Sequence, residues 1–243
     1  MAYQSVFQRF ELKYLLTRAQ KELILAAMAG RMVPDKHGAA TIRNLYYDTD
    51  RYLLVRRSIE KPAYKEKLRV RSYRAAGPDD PVFVELKKKY DSVVYKRRIS
   101  LPAEAAQTWL TGQSPCPVPG QIPNEIDHAL QLYQTLQPRI FLSYRREAFY
   151  AADDPNFRVT FDDQILARRE ALTLAEDPWG TPLLPEDRVL MEIKCAGGIP
   201  LWLTTVLSRE KIFKTSFSKY GTAYKALIFP TLNRDCTEKR EEY

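Results

Sequence analysis

Two histidines, three cysteines and nine glycines among 243 residues leave little material for several common chemistries. His37 falls in a predicted loop and His128 in a predicted helix, so a histidine-based triad or zinc cluster has almost nothing to draw on. Cys116, Cys195 and Cys236 are odd in number and lack Cys-x-x-Cys spacing, which implies no disulfide framework and fits the reducing cytoplasm. Gly197-Gly198 has no following Lys-Ser/Thr and reads as a turn rather than a phosphate loop. No stretch approaches the roughly 18 consecutive apolar residues of a membrane span. The amino end, MAYQSVFQRFELKY, carries Arg9, Glu11 and Lys13 and no apolar core of signal-peptide length. A soluble chain is expected.

What the chain has instead is positive charge. Lys and Arg number 38 against 30 Asp and Glu, a net charge of +8, which favours an anionic partner without naming it. At 45% hydrophobic, the chain is long enough to bury a sizeable core. One β-rich domain over 1–232 is expected, followed by a charged tail at 233–243 ending in TEKREEY. Helices are predicted over 17–29, after a Thr cap; over 103–111, after Pro102; and over 124–135, capped by Asn124. The segment SFSKYGTAYKALI reads as a further helix after a Ser cap. Period-two alternation with β-branched and aromatic residues marks strands near 6–14, 41–47, 64–74, 82–89, 93–101, 139–150, 157–162 and 188–195. The fold class is therefore α+β, an antiparallel sheet closing as a barrel of about eight strands with flanking helices.

The charges within those strands are sorted. Lys65, Lys67, Arg69 and Arg71 take one face of a strand, while Tyr64, Glu66, Leu68 and Val70 take the other. Glu85, Lys87 and Lys89 stand against Val82, Val84 and Leu86 in the next strand, and Lys96 and Arg98 against Tyr95 and Ile99 in the one after. Arg9, Glu11 and Lys13 repeat the pattern near the amino end, Glu192 and Lys194 near the carboxyl end, and Arg146 and Arg158 join from late strands. Any one such strand is most simply a solvated outer face. Five together are harder to explain that way, because stacked like charges repel unless an anion neutralises them. A closed sheet would place them in a lumen filled by a phosphate chain, where Arg offers a planar fork and Lys a mobile point charge. The few acids on these faces supply hard oxygen for Mg²⁺ or Mn²⁺. Glu192 is the favoured metal ligand, with an ion pair as its plainer alternative; Glu85 and Glu11 could serve as ligand, water-positioning group or charge balance.

These segments resemble the VTC domain, the polyphosphate polymerase branch of the CYTH-like triphosphate tunnel metalloenzymes. The motifs that carry the resemblance are RFELKY (9–14), LYYDT (45–49), KLRVRSY (67–73), VFVELKKK (82–89), VYKRRISL (94–101), YRREAFY (144–150), FRVTFDD (157–163), VLMEIK (189–194) and SFSKYG (216–221). Each is weak alone; their order and spacing make the match. The resemblance implies a tunnel of antiparallel strands that binds a triphosphate or a polyphosphate chain. It makes Lys13, Arg69, Arg71, Lys87, Lys96, Arg146, Arg158 and Lys219 phosphate contacts and Glu192 the metal ligand. Lys219 is known only from the resemblance. Arg145 and Arg146 are ambiguous by one residue, and alternation from Tyr144 and Ala148 favours Arg146. Hydrolase and cyclase branches open with Glu-x-Glu-x-Lys; here Arg9 replaces the first acid, which resembles the VTC branch and puts a two-metal mechanism in doubt. The phosphate-sensing module and membrane helices of eukaryotic polymerase subunits have no counterpart in the 243 residues, so coupling of synthesis to translocation is not expected.

The expected activity is phosphoryl transfer from a nucleoside triphosphate, ATP above others, to inorganic polyphosphate with Mn²⁺ or Mg²⁺. Lys13, Lys67, Arg69, Arg71, Lys87, Lys96, Arg98, Lys194 and Lys219 would hold phosphate, Arg146 and Arg158 would stabilise charge on the transferred group, and Glu85 would assist catalysis. The alternatives are a tripolyphosphatase or nucleoside triphosphatase, with Glu85 or Glu11 orienting water, and a non-catalytic polyphosphate-binding module. Nucleic acid is disfavoured because no exposed aromatics interleave with the cations on one face.

Overall fold

A computed structural model describes residues 10–36, 38–60, 62–91, 93–154 and 156–232. Along the chain the elements are β1 (Phe10–Thr17), α1 (Arg18–Met28), β2 (Met32–Pro34), β3 (Ala40–Asp48), α2 (Leu53–Glu60), β4 (Tyr64–Ser72), β5 (Pro81–Tyr90), β6 (Val93–Pro102), α3 (Ala103–Leu110), α4 (Gln121–Tyr133), β7 (Gln137–Ala151), β8 (Arg158–Arg168), β9 (Thr181–Pro182), β10 (Arg188–Cys195), α5 (Leu201–Arg209), β11 (Lys214–Thr215) and α6 (Lys219–Ala223). A π-helical turn, Tyr224–Ile228, continues α6. His37, Arg9, Cys236 and the tail at 233–243 lie outside the described residues.

Hydrogen bonds join the strands in the order β11-β1-β10-β8-β7-β3-β4-β5-β6, with β2 on β7 and β9 on β8. The expected barrel of about eight strands is therefore corrected to an eleven-stranded sheet whose path is open among the described residues. The count rises because β2, β9 and β11 span only two or three residues, too short to show alternation. The antiparallel α+β character stands.

The described residues divide into two compact units, each built from three separate segments: 10–41, 144–165 and 184–217 in the first, and 42–143, 166–183 and 218–232 in the second. In the first unit β1 pairs antiparallel with β10 over its whole length, Phe10 opposite Cys195 through Thr17 opposite Arg188. β10 in turn pairs with β8. The alternation buries Tyr14, Leu16, Val159, Phe161, Val189, Met191 and Ile193 against Ile24 and Met28 of α1 and Leu203 and Val206 of α5. Helix α1 starts where a capping box forms: Gln20 N–H donates to Thr17 Oγ1 at 3.1 Å, and Thr17 N–H donates to Gln20 Oε1 at 3.0 Å.

In the second unit β4, β5 and β6 form a long meander with β3 at one side. Its apolar face, Leu68, Val70, Val82, Val84, Leu86 and Leu101, packs under α3 and α4 through Trp109, Leu110, Ile126 and Ala129. Charged residues on this face are paired across the packing: Glu125 of α4 accepts from Lys88 at 3.0 Å and from Arg97 at 2.9 Å. Glu66, also on this side, takes the hydroxyls of Tyr64 and Tyr133. Helix α4 begins three residues earlier than its predicted Asn124 cap. Gly120, with φ of 145°, precedes it, and Pro123 fits in its first turn, where no backbone N–H is needed. Helices α2 and α5 were not predicted: α2 is short and α5 mixes β-branched residues into a helical stripe.

Leu68 has no exposed surface and sits at the centre of this layer. Leu68→Ala is expected to lower the free energy of unfolding by about 3 kcal/mol, through lost burial and the cavity left behind. Urea denaturation monitored by tryptophan fluorescence checks this; a change under about 1 kcal/mol would contradict the core assignment.

Candidate phosphate and metal sites

The face of β4–β5–β6 away from the helices carries the sorted cations, and the ladder register decides which meet. Arg69, Glu85 and Arg98 lie side by side on three strands, with Tyr46 of β3 next to Arg69. One step along, Lys67, Lys87 and Lys96 form a row of three like charges. Such a row costs stability unless opposite charge is near.

Some of that opposite charge comes from Glu85, which is 1% exposed. Its Oε2 accepts from Arg69 Nε at 2.7 Å and has Arg71 Nε at 3.9 Å. Its Oε1 makes ionic contacts with Lys96 Nζ at 2.7 Å and Arg98 Nε at 3.3 Å. Burial works to raise the Glu85 carboxyl, but Arg69, Arg71 and Lys96 overcome it and bring it to about 2. Burial lowers Lys96, with Arg98 and Arg69 adding repulsion against the pull of Glu85. One carboxylate thus faces four cations.

Neutral groups fix these cations in place. Arg69 Nη1 donates to the Tyr46 hydroxyl at 3.0 Å, and Arg71 Nε donates to Asn44 Oδ1 at 2.9 Å. Asn44 is itself held through its amide on the Leu142 carbonyl at 3.0 Å. The Arg98 guanidinium lies 3.5 Å from the centre of the Phe83 ring and donates to Tyr73 at 3.1 Å. Helix α6 reaches the same face: Ser218, which caps it through Gly221 N–H, lies 3.4 Å from Lys67 Nζ, and Tyr220 stacks on Tyr46 with ring centres 4.6 Å apart. Lys219 is buried in that segment.

The first unit holds a cluster of different balance. Arg146 grips Asp162 with two bonds, Nε to Oδ1 and Nη2 to Oδ2, each 2.6 Å, and Nη2 also reaches Glu192 Oε2 at 3.0 Å. Burial would lower the Arg146 guanidinium, but Tyr144, Asp162 and Glu192 hold it well above its ordinary value. Lys13 Nζ is 3.3 Å from Glu192 Oε1 and 3.5 Å from Glu11 Oε1, and donates to the Phe217 carbonyl at 2.9 Å. Lys194 lies opposite Glu11 and Arg158 in the ladders, and Arg158 donates to Asp35 at 2.6 Å. The structure places Arg146, not Arg145, in this cluster; Arg145 pairs with Glu147 instead.

Among the described residues no group of three or more His, Cys, Asp or Glu side chains is arranged to hold a metal. The donor set at Glu192 fits a smaller demand. Opposite Glu192 in the β8–β10 ladder stands Thr160, 2% exposed, whose Oγ1 has no hydrogen-bond partner. A carboxylate beside a hydroxyl is hard-oxygen chemistry suited to Mg²⁺ or Mn²⁺, which take their other ligands from water and phosphate.

The sequence reading missed Tyr46, Asn44, Tyr220, Thr160 and Asp162. Four are neutral and gave no charge signal; Asp162 lies in FDD beside Asp163, and only the ladder shows which of the two meets Arg146.

An antiparallel sheet with flanking helices is a fold shared with a solved structure. A proposed adenylate cyclase from Bacillus halodurans superposes with a TM-score of 0.51 at 17% identity, over 86% of this chain and 92% of its own. A second proposed adenylate cyclase, from Vibrio parahaemolyticus, gives 0.45 at 10% identity over 90% and 98%. A Pyrococcus horikoshii protein gives 0.41 at 12% identity over 87% and 95%. No curated protein matches the sequence. The VTC domain model matches residues 8–228, and the chain belongs to that family.

Glu85 is ionised in the fold at pH values where an exposed carboxyl is protonated, so its contribution to stability is complete above about pH 4.5 and is lost as pH falls toward about 2. Glu85→Gln leaves four cations without their carboxylate and is expected to cost about 3 kcal/mol at pH 7. Added tripolyphosphate should return part of that loss. Thermal unfolding from pH 2 to 7 checks this: the variant must show a shallower acid limb than the parent, the remaining slope coming from groups such as Glu125 and Asp80.

Proposed function

We propose that this chain is a metal-dependent polyphosphate polymerase that transfers the γ-phosphoryl group of a nucleoside triphosphate, ATP first among them, to the end of a polyphosphate chain. The observation that carries the proposal is the uneven charge of the second unit's face, where Arg69, Arg71, Lys96 and Arg98 converge on the single carboxylate Glu85 beside the row Lys67, Lys87 and Lys96. An elongated polyanion is the ligand that such a face is built to neutralise. Membership of the VTC family points to the same substrate class.

In this reading Lys67, Arg69, Arg71, Lys87, Lys96, Arg98 and Lys219 hold phosphates in the second unit, and Lys13 and Lys194 do so in the first. Arg146 and Arg158 stabilise charge on the phosphoryl group in flight. A terminal phosphate oxygen of the chain attacks the γ-phosphorus, and the bond from that phosphorus to its β,γ-bridging oxygen breaks. The nucleoside diphosphate leaves with the bonding pair, so no proton acceptor is required. Glu192, helped by Thr160 and Glu11, would hold Mg²⁺ or Mn²⁺, which when bound supplies positive charge to the phosphate oxygens. Positioning and charge neutralisation do the rest.

The hydrolase reading has Glu85 or Glu11 orient the attacking water, and its Glu85 form is weakened if that residue must also take the proton. A carboxyl brought to about 2 and surrounded by four cations is a poor base. Glu85 is better assigned as the anion that keeps the cations in register. Arg9, where hydrolases carry an acid, points the same way at the level of sequence. No helix among the described residues is long and apolar enough to cross a membrane. Cys116 and Cys195 are free thiols, which suits the cytoplasm as the place of action.

Incubation with ATP and Mn²⁺, followed by gel separation of the products, is expected to show polyphosphate ladders. Glu192→Ala should abolish metal-dependent turnover. Orthophosphate as the sole product would establish hydrolysis instead, binding without turnover across triphosphates and metals would establish a non-catalytic module, and full activity in Glu192→Ala would remove the metal assignment.

A further inference from the structure

Tyr46 stands in the second unit among positive charges. Its ring is 6% exposed and stacks on Tyr220, whose hydroxyl donates to the buried Asp48 at 2.8 Å. Asp48 also accepts the backbone N–H groups of Thr49, Leu54 and Val55, so the stack is anchored to the start of α2. On its other side the Tyr46 hydroxyl accepts from Arg69 Nη1, and the Arg69 guanidinium carbon is 5.8 Å from the Tyr46 ring centre. Glu85 takes the Nε and Nη2 of the same guanidinium. Arg69 is thus oriented by one charged and one neutral partner.

The neutral partner can become charged. The groups around the Tyr46 hydroxyl are Arg69, Lys67 and Arg71 from β4, Asn44 from its own strand, Glu85 beyond Arg69 on β5, and Tyr220 with Asp48 behind it from the α6 side. β7 adds Leu142, an apolar side chain whose carbonyl is taken by Asn44. Three cations on β4 therefore outnumber the two acids named, Glu85 beyond Arg69 and Asp48 behind Tyr220. A phenolate there would contact Arg69 through the same oxygen and supply negative charge without leaving the fold.

We propose that Tyr46 is a positioning residue for the anion site of this unit: as the neutral phenol it orients Arg69 toward the ligand, and as the phenolate it takes the ligand's electrostatic place, so proton loss at Tyr46 opposes anion binding. The inference rests on the reading of this face as a phosphate site. Burial acts to raise the Tyr46 hydroxyl, but Arg69, Lys67 and Arg71 bring it down to about 8. A bound polyanion offsets those same cations and returns the proton. Affinity is then complete below about pH 8 and falls as pH rises above it.

Tripolyphosphate is the probe, its dissociation constant followed by calorimetry from pH 7 to 9.5 in the parent and in Tyr46→Phe, which keeps the stacked ring. The ligand's own protonation affects both proteins alike, so their difference reports Tyr46. The parent should weaken by up to about tenfold per pH unit more than the variant. The tyrosinate absorbance of the parent minus that of Tyr46→Phe should show a step near pH 8 that tripolyphosphate suppresses; Tyr73, whose hydroxyl Arg71 and Arg98 also bring down against burial, is present in both proteins and cancels. Equal pH slopes in the two proteins, or an absorbance step that the probe does not move, overturn the inference while leaving the phosphate site intact. A parent that does not bind tripolyphosphate at pH 7, or binds it as well with Arg69→Ala, overturns both.

Discussion

The contact between Glu85 and four cations governs the second unit. An antiparallel meander places neighbours on one face about 5 Å apart, so the choice of residue on one strand constrains the next two. With Arg69 and Arg98 flanking Glu85 directly, and Arg71 and Lys96 reaching it diagonally, a single acid joins three strands that would otherwise repel. The other face carries Val82, Val84 and Leu86 into the helix-covered core, so the register is fixed twice, once by burial and once by charge. A shift by one residue would bury the lysines under α3 and α4 and expose the leucines.

The two clusters solve different problems. In the first unit the connected side chains are three carboxylates, Glu11, Asp162 and Glu192, with two cations, Lys13 and Arg146. In the second they are one carboxylate and four cations. In the proposed reading the first takes a cation and the second an anion. Arg146 shows that the acids of the first are not equivalent. It holds Asp162 through both oxygens at 2.6 Å, whereas it meets Glu192 through one oxygen at 3.0 Å.

Much of this was legible in the sequence because the pleat has a strict period. Lys65 to Arg71 could be assigned to one face, and Tyr64 to Val70 to the other, before any contact was known, and β4 follows that division. Pairing was not legible. Nothing in LYYDT tells that Tyr46 meets Arg69 while Tyr47 enters the core, nor that the helix at SFSKYG brings Tyr220 onto Tyr46. These depend on register and on contacts across 172 positions of chain, as between Tyr220 and Asp48. The barrel count failed for a local reason: two-residue strands such as β9 and β11 are made by their partners and leave no periodic trace.

Crowding cations on a rigid sheet has a cost and a return. A lysine or arginine side chain free to turn in solvent loses roughly 1.5–2 kcal/mol of rotamer entropy when it is fixed. Here much of that loss falls on folding, since Glu85, Asn44, Tyr46, Tyr73 and Phe83 already hold Arg69, Arg71 and Arg98. If this face takes a phosphate chain, as proposed, the chain meets donors whose geometry is set, and its affinity is not spent on ordering them. Binding would also relieve the repulsion within the row Lys67, Lys87 and Lys96. A face stabilised fully by its own acids would hold the fold better and such a ligand worse.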